Sequence, residues 1–255
     1  MLILLPPSET KRIGGQNLTI SQVHLSYGQL DPARDQVLTA LLELCSDANE
    51  AAKVLKLSPK QLEDISRNFE LPKAPTMPAY LRYAGTLYKA IGVESFTEHE
   101  VERMRSKVLM QSALFGLISA TDRIPWYRLS ADTKLPGIDL KAIWRENQPM
   151  AWGRLVDLPI IDMRSKSYAD LAPVPETIDS YWVEVVSEVD GERRALNHFN
   201  KTAKGELVAA FVRAKRTPES LAQLKKVAES VGLGMEVEGN VIYLVTSEVV
   251  RGKLF

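Results

Sequence analysis

The first five residues, MLILL, form an unbroken apolar run. A run of this kind, with no polar interruption, predicts a buried strand. The ten residues that follow, PPSETKRIGG, place two prolines, a Ser-Glu-Thr segment, a Lys–Arg pair and two glycines directly after that strand. The segment holds too many special residue types for a simple tether, and it is too short for a domain linker. Because open α/β sheets bind ligands beyond the ends of their strands, the loop is a candidate site.

The bulk composition fits a globular protein with a sizeable core. The chain has 255 residues, of which 45% are hydrophobic, and this predicts one domain spanning residues 1–255. Lys plus Arg and Asp plus Glu both total 32, so a nucleic-acid surface would require local segregation of charge. Cys45 is the only cysteine, which excludes an internal disulfide and suits a reducing cytoplasm. The apolar start is far shorter than the roughly 20 residues of a membrane span, so we expect a cytoplasmic protein without a membrane partner.

The rest of the chain mixes helical and strand patterns. Helical periodicity and helix-start signals, including a capping box at Thr97 and Glu100, predict helices within residues 31–68, 83–91, 97–107, 201–216 and 217–231. Apolar runs and turn signals predict strands at 108–118, 127–129, 158–162 and 181–189, and hairpins at Asp190-Gly191 and Gly239-Asn240. Residues 71–80 carry three prolines and are a candidate linker. Together these patterns predict an α/β or mixed α+β fold.

A basic block occupies residues 193–216, which hold seven Lys or Arg residues and one acid. Arg193 and Arg194 are explained by pairing with the acidic strand before them, across the predicted hairpin. Lys201 and Lys204 fall in the first turn of the next helix, where cations oppose the helix dipole. Free backbone N–H groups at the same end make this turn a candidate anion site, with phosphate as the natural anion. The alternative is a solvated helix start.

A second segment combines aromatic and basic residues. Asp122-Arg123-Ile-Pro-Trp126-Tyr127-Arg128 can stack a nucleic-acid base and grip a phosphate, or its two aromatic rings can belong to the core. LPGI, around Gly137, precedes a helical pattern and resembles the hairpin of a helix–hairpin–helix DNA-binding motif. The alternative is a plain turn into a helix. The segment therefore leaves DNA binding open without establishing it.

No metal or cofactor motif stands out. His24, His99 and His198 are scattered, without the spacing of metal ligands, and no phosphate-binding P-loop is present. Cys45 lies in an amphipathic helical pattern and is expected to be a small core residue rather than a reactive thiol. We therefore predict no metal ligand and no cofactor.

Three stretches, in order, resemble the YaaA family of bacterial peroxide stress proteins: MLILLPPSETKR, LFGLISATDRIPWYRL and FNKTAKGELVAAFV. The resemblance implies a single compact α/β domain, with curved mixed sheets surrounded by helices. It also implies a cytoplasmic role in limiting iron-dependent oxidative damage, and DNA binding through a positive cleft with a helix–hairpin–helix-like element. The positions that carry over are Pro7, Thr10, Gly116, Asp122, Tyr127, Arg128, Lys201, Lys204 and Gly205. This chain departs from the family at Glu9, where many members have Lys, and Lys11-Arg12 can compensate.

Two hypotheses follow, one for a binding protein and one for an enzyme. A DNA-binding stress protein would grip phosphates and stack bases through Lys11, Arg12, Arg123, Trp126, Tyr127, Arg128, Lys201 and Lys204. An enzyme acting on a phosphorylated or nucleoside-like molecule would use Glu9 or Asp122 as acid or base and Tyr127 as proton donor. Arg128, Lys201 and Lys204 would then clamp the anion. The enzyme hypothesis requires Glu9, Tyr127, Arg128 and Lys204 to converge on one pocket, whereas an open positive groove favours DNA.

Overall fold

The structure is a computed structural model that describes the backbone of residues 1–153, 155, 157–189, 192–195 and 199–246, and the side chains of these residues except 188, 189 and 192–195. The strands are β1 (Leu2–Leu5), β2 (Met77–Pro78), β3 (Val108–Ser112), β4 (Gly116–Ser119), β5 (Arg123–Ile124), β6 (Ile160–Asp162), β7 (Ser180–Val189), β8 (Glu192–Ala195), β9 (Gly234–Glu238) and β10 (Val241–Thr246). The α-helices are α1 (Asp31–Leu44), α2 (Ala48–Val54), α3 (Glu63–Phe69), α4 (Ala79–Arg82), α5 (Thr86–Ile91), α6 (Glu98–Lys107), α7 (Leu140–Asn147), α8 (Pro149–Trp152), α9 (Lys166–Leu171), α10 (Asn200–Arg213) and α11 (Leu221–Glu229). The predicted mixed α/β class is confirmed.

The main sheet is built around β1. Its order is β4-β3-β1-β6-β7-β10-β9, and β8 pairs with β7 beyond the end of β6. β1 runs parallel to both neighbours, with Ile3 level with Val108 of β3 and with Ile161 of β6. β4, β8 and β9 run antiparallel to their partners. Every residue of β1 is at most 2% exposed, which confirms the buried strand predicted from LILL.

The strand order places a crevice beside β1. From β1 the chain crosses to β3 on one side, and it later returns to β6 on the other side. The direction of winding therefore reverses between β1 and β6. In open sheets with parallel strands, such a reversal leaves a crevice outside the carboxyl ends of the two strands, where ligands bind. The loop that begins at Pro6 and the segment that begins at Met163 leave the sheet at this edge.

Several predicted elements are confirmed and others are wrong. The capping box at Thr97 is present, and the final hairpin forms between β9 and β10. Residues 108–118 form two antiparallel strands rather than one, because Gly116 adopts a left-handed φ of +64° after the turn. Residues 127–129 form no strand. The Asp190-Gly191 turn lies outside the described residues, although the flanking strands pair as predicted.

The proline-rich stretch at residues 71–80 is not a linker. Leu71 is buried, and Thr76 exchanges backbone hydrogen bonds with Gln16. Met77–Pro78 pairs with Arg123–Ile124 as a small second sheet. The prolines therefore shape a packed segment rather than a flexible connection. Within the described residues, no helix is long and apolar enough to cross a membrane.

Candidate functional site

Two cavities share one wall at the carboxyl ends of β1 and β6. The β1-loop cavity has a volume of about 350 Å³ and is lined by the loop after β1, the start of α5, residues 130–132 and the start of α9. The α10 cavity has a volume of about 340 Å³ and is lined by residues 163–166, part of β7 and the start of α10. The residues common to both linings are Pro6, Leu87, Ser165 and Lys201. We refer to the two together as the carboxyl-edge cleft.

The loop after β1 is fixed against α5 by backbone contacts. Ala84 N donates to Thr10 O over 2.9 Å, and Tyr88 Oη donates to Pro6 O over 2.7 Å. Gly85 lies so close to Ser8 that a Cβ at this position would overlap the Ser8 hydroxyl. These contacts hold Pro7, Glu9 and Thr10 along the β1-loop cavity, which they line.

Glu9, which lines the β1-loop cavity, is paired with Arg128, which lines neither cavity of the cleft. The Glu9 carboxylate forms an ion pair with the Arg128 guanidinium over 3.1 Å. The Glu9 side chain is half-exposed and that of Arg128 is 20% exposed, so the pair is reached by solvent. The sequence placed both residues at one site, and the structure brings them together.

Lys11 is buried, and its ammonium group packs over the rings of two tyrosines, Tyr127 and Tyr83. Its Nζ is 4.3 Å from the centroid of the Tyr127 ring and 5.7 Å from that of Tyr83. Burial lowers the pKa of Lys11 to about 8, although the Glu9 carboxylate opposes this shift. Tyr127 is fully buried, and its hydroxyl bonds to those of Tyr83 and Ser112 over 2.9 Å each. Burial raises the pKa of Tyr127, so its hydroxyl stays protonated at neutral pH.

The α10 cavity is dominated by the start of α10. Phe199 occupies the N-cap and has no side-chain acceptor for the first N–H groups of the helix. Lys204 projects from the first turns and is only 5% exposed, with its Nζ donating to Met163 O over 3.3 Å. Its Nζ is 5.6 Å from the centroid of the Trp182 ring. Burial lowers the pKa of Lys204 to about 8, against the attraction of Asp162 and Glu184.

A buried ion pair and a glycine fix the elements that form the wall of the α10 cavity. Arg164 forms a salt bridge of 2.7 Å with Asp162, and the guanidinium also donates to the carbonyls of Tyr168 and Ala172. Arg164 is therefore engaged by the fold, which leaves the lysines to meet a ligand. A Cβ at Gly205 would overlap Leu87 O, so the absence of a side chain there lets α10 pack on α5.

Other predicted site residues lie away from the cleft. Arg12 forms an ion pair with Glu94, and Arg123 donates to Thr76 O over 2.8 Å. Trp126 lines a separate apolar groove. The Arg67 guanidinium lies 5.4 Å from the centroid of the Trp126 ring. None of these three predicted DNA contacts lines either cavity of the cleft.

Asp122, predicted as an alternative acid or base, supports a different part of the fold. Its carboxylate accepts hydrogen bonds from the backbone N and the hydroxyl of Ser26, both over 2.8 Å, and from Ser119 N over 3.0 Å. Burial raises the pKa of Asp122, while these hydrogen bonds oppose the shift. The side chain lines a separate cavity with Arg105, at the opposite edge of the sheet from the cleft.

The two remaining predicted glycines have structural surroundings of their own. Gly116 packs directly under the Trp144 ring. Gly137 has a φ of +77° in the turn before α7, which Asp139 caps by accepting from Lys141 N and Ala142 N. No helix lies between Ile124 and Leu140, so the first helix of a helix–hairpin–helix motif is missing there and the plain turn into a helix is what forms.

Sequence reasoning missed several residues that line the cleft. They are Thr86, Asp132, Ser165, Ser167 and Trp182. A signal was present for the two serines, because MRSKS follows the predicted strand LPIID just as PPSET follows LILL. Asp132 and Trp182 carry no comparable local signal, since only the folded chain brings them to the cleft. Within the described residues, no group of three His, Cys, Asp or Glu side chains could hold a metal ion.

Comparison with known proteins gives a consistent family assignment. A family model described as "Peroxide stress protein YaaA" matches residues 1–236. A UPF0246 protein of Corynebacterium glutamicum is 39% identical over 247 residues, covering 94% of this chain and 96% of its own length. A UPF0246 protein of Streptomyces coelicolor is 35% identical over 244 residues, covering 93% of each chain. An uncharacterized protein of Campylobacter jejuni is 24% identical over 228 residues, covering 88% of this chain.

Proposed function

Since the chain belongs to the YaaA family of peroxide stress proteins, we propose that it acts in that response by binding a phosphate-bearing small molecule in the carboxyl-edge cleft. The cleft lies where the winding of the sheet reverses, between the ends of β1 and β6. Each of its cavities has a volume of about 350 Å³ or slightly less, which falls in the range of small-molecule pockets.

The observation that carries this proposal is the state of Lys204. An ammonium group has three donors, and among the described residues only Met163 O accepts a bond from it. The side chain is 5% exposed and lines the α10 cavity, so its charge is largely removed from water beside that space. Burial of a cation with incomplete pairing is costly, and an anionic ligand would remove that cost.

The start of α10 provides the second half of an anion site. Its first backbone N–H groups carry partial positive charge and have no side-chain cap from Phe199. Lys201 lines both cavities and adds an exposed ammonium at the same end. A phosphate group accepts several hydrogen bonds at once and suits this combination of N–H groups and two lysines.

Chemistry at the cleft, if the ligand is a substrate, falls to Glu9. Its carboxylate lines the β1-loop cavity and is held by Arg128, so it is placed to take or give a proton. Tyr127 is fully buried and lines neither cavity, so it does not touch a ligand there. Arg128 anchors Glu9, and Lys201 and Lys204 bind the anion.

Calorimetric titration with ethyl phosphate at pH 7 tests the proposal. We expect one binding site in the wild type and a loss of at least about tenfold in affinity for Lys204→Met, since a charge-assisted contact is worth about 1.5–3 kcal/mol. Lys225→Met is the matched control, because Lys225 is exposed on α11 and lines neither cavity of the cleft. Equal affinity in all three proteins, or no binding at all, contradicts the proposal.

DNA binding is a second candidate, favoured by the exposed lysines at the mouth of the cleft. Lys166 and Lys201 line the α10 cavity and are both exposed, so they can meet a phosphate of a polymer as well as one of a small molecule. The buried ring of Tyr127 cannot stack a base, so this contact would be electrostatic. Limitation of iron-dependent damage would then follow from occupancy of DNA rather than from iron binding.

Fluorescence anisotropy with duplex and single-stranded DNA separates the two candidates. Electrostatic binding predicts that log K falls linearly with log salt, by about 0.9 per phosphate contact on duplex DNA. With two lysines at the mouth we expect a slope of about −2 and weak affinity. Absence of binding to either DNA at low salt would eliminate this candidate and leave the small-molecule proposal in place.

A further inference from the structure

We propose that the β1-loop cavity holds a polyhydroxylated sugar, so that the ligand of the cleft is a sugar phosphate or a nucleotide. This inference rests on the proposed function, because it requires the phosphate to sit in the neighbouring α10 cavity. The two cavities share Lys201 and Ser165, so a phosphate at the start of α10 would leave its ester group at the entrance of the β1-loop cavity.

The lining of the β1-loop cavity is rich in hydroxyl groups. It includes Ser8, Thr10, Thr86, Ser130, Ser165 and Ser167. Ser165 and Ser167 bond to each other over 3.2 Å, and Ser130 bonds to Thr133 over 3.0 Å. Within the described part of the chain, no residue forms a hydrogen bond with the side-chain hydroxyl of Ser8, Thr10 or Thr86. Each of these groups can donate one bond and accept others, which is the pairing that a sugar hydroxyl requires.

Charge separates the two cavities. The β1-loop cavity has two carboxylates on its wall, Glu9, which is paired with Arg128, and Asp132, against Lys201. The α10 cavity has Lys166, Lys201 and Lys204 on its wall against one carboxylate, Glu184, while Arg164 on the same wall forms an ion pair with Asp162. The wall of the second cavity is therefore the more positive of the two, and it attracts a phosphate more strongly than the first. Carboxylates accept hydrogen bonds only, so Glu9 and Asp132 favour a neutral group that donates, as sugar hydroxyls do.

The apolar part of the lining fits the carbon skeleton of such a group. Pro6, Pro7 and Leu87 contribute aliphatic surface, and Tyr88 contributes a ring whose hydroxyl is already bound to Pro6 O. A sugar ring has apolar C–H faces and polar edges, which matches a cavity with aliphatic walls and hydroxyl groups between them. A phosphate ester without hydroxyl groups would leave those wall groups without a partner.

The test compares ribose 5-phosphate with ethyl phosphate by calorimetry at pH 7 in the full chain. The ratio of the two affinities is the readout, because both probes carry the same charged group. We expect a ratio of at least about 10 in the wild type, since a site built for hydroxyl groups rejects an analogue that lacks them. In Asp132→Ala and Ser167→Ala we expect that ratio to fall at least about threefold. In Lys204→Met both affinities should fall while their ratio is kept.

The outcomes distinguish the two proposals. If ethyl phosphate binds through Lys204 but ribose 5-phosphate binds no more tightly, the sugar assignment is overturned and the phosphate site stands. The sugar assignment is also overturned if the ratio of the two affinities is the same in the wild type, in Asp132→Ala and in Ser167→Ala. If Lys204→Met weakens neither probe, or neither binds to the wild type, the proposed function itself is wrong and the sugar assignment falls with it.

Discussion

Replacement of Lys204 by methionine should make the free protein more stable while it removes phosphate binding. The structure places this ammonium at 5% exposure, with Met163 O as its one acceptor among the described residues. Methionine keeps an unbranched side chain of similar length and removes only the charge and the donors. The substitution therefore separates the cost of the buried charge from the packing of the side chain.

The size of this effect follows from the pKa of Lys204. Burial lowers it from 10.5 to about 8, and at about 1.4 kcal/mol per pKa unit this corresponds to about 3 kcal/mol. Part of that gain is offset by the lost hydrogen bond to Met163 O, worth about 1 kcal/mol. We expect the free energy of unfolding to rise by about 1–3 kcal/mol at pH 7.

The pH dependence has a definite sign. The folded pKa lies below the unfolded value, so the protonated lysine opposes folding, fully so below pH 8. Between about pH 8 and 10.5 the native state releases its proton while the unfolded state keeps it, and the wild type becomes more stable. The stability difference between Lys204→Met and the wild type should therefore shrink across this window. Lys11, with a pKa also near 8, contributes equally to both proteins and cancels from the difference.

Urea unfolding followed by circular dichroism at pH 7 and pH 10 measures both effects. Lys225→Met is again the matched control and should change stability little at either pH, because that side chain is exposed. A loss of stability in Lys204→Met at pH 7 would refute the reasoning. It would mean that protein contacts hold this ammonium, rather than a ligand that is absent from the free protein.

Three further outcomes follow from the structure. Gly116→Ala should lower the free energy of unfolding by about 2–4 kcal/mol, because a Cβ there meets the Trp144 ring and the φ is left-handed. Gly137→Ala has a similar φ but open space around the Cβ, so it should lower stability by only about 1 kcal/mol in the same urea unfolding assay. Tyr127→Phe should cost about 1–3 kcal/mol in the same assay by depriving buried hydroxyls of a partner, and unchanged stability would contradict the network. The affinity for ethyl phosphate should fall above pH 8, by roughly tenfold per pH unit, as Lys204 loses its proton, whereas Lys204→Met should show no such fall in calorimetry.

Local sequence predicted the parts of the fold that depend on local chemistry. The apolar run LILL indicated β1 because its residues are buried on both faces, and Thr97 and Glu100 indicated the start of α6. Residues 127–129 were wrongly predicted as a strand. In the structure that segment is irregular and buries Tyr127 against Tyr83, which is a result of tertiary packing.

The candidate site was predicted in part, for a similar reason. Three residues of the cleft follow an element boundary that the sequence pattern indicates: Glu9 follows the end of a strand, and Lys201 and Lys204 follow the start of a helix. The structure brings all three to one cleft. Arg123 and Trp126 share a motif with Arg128 but lie on other surfaces, because the irregular chain after β5 turns successive side chains in different directions. Spacing in an irregular segment does not determine which side chains converge.

The most direct test of the phosphate site is the titration of Lys204 itself. NMR of lysines labelled at Cε, assigned with the Lys204→Met variant, reports the pKa of this one amine with and without ethyl phosphate. The structure predicts a pKa near 8 in the free protein, and phosphate binding should raise it by at least about one unit, because linkage requires the anion to favour the protonated form. A pKa near 10.5 in the free protein, or a value that saturating ethyl phosphate does not change, would contradict the proposed site.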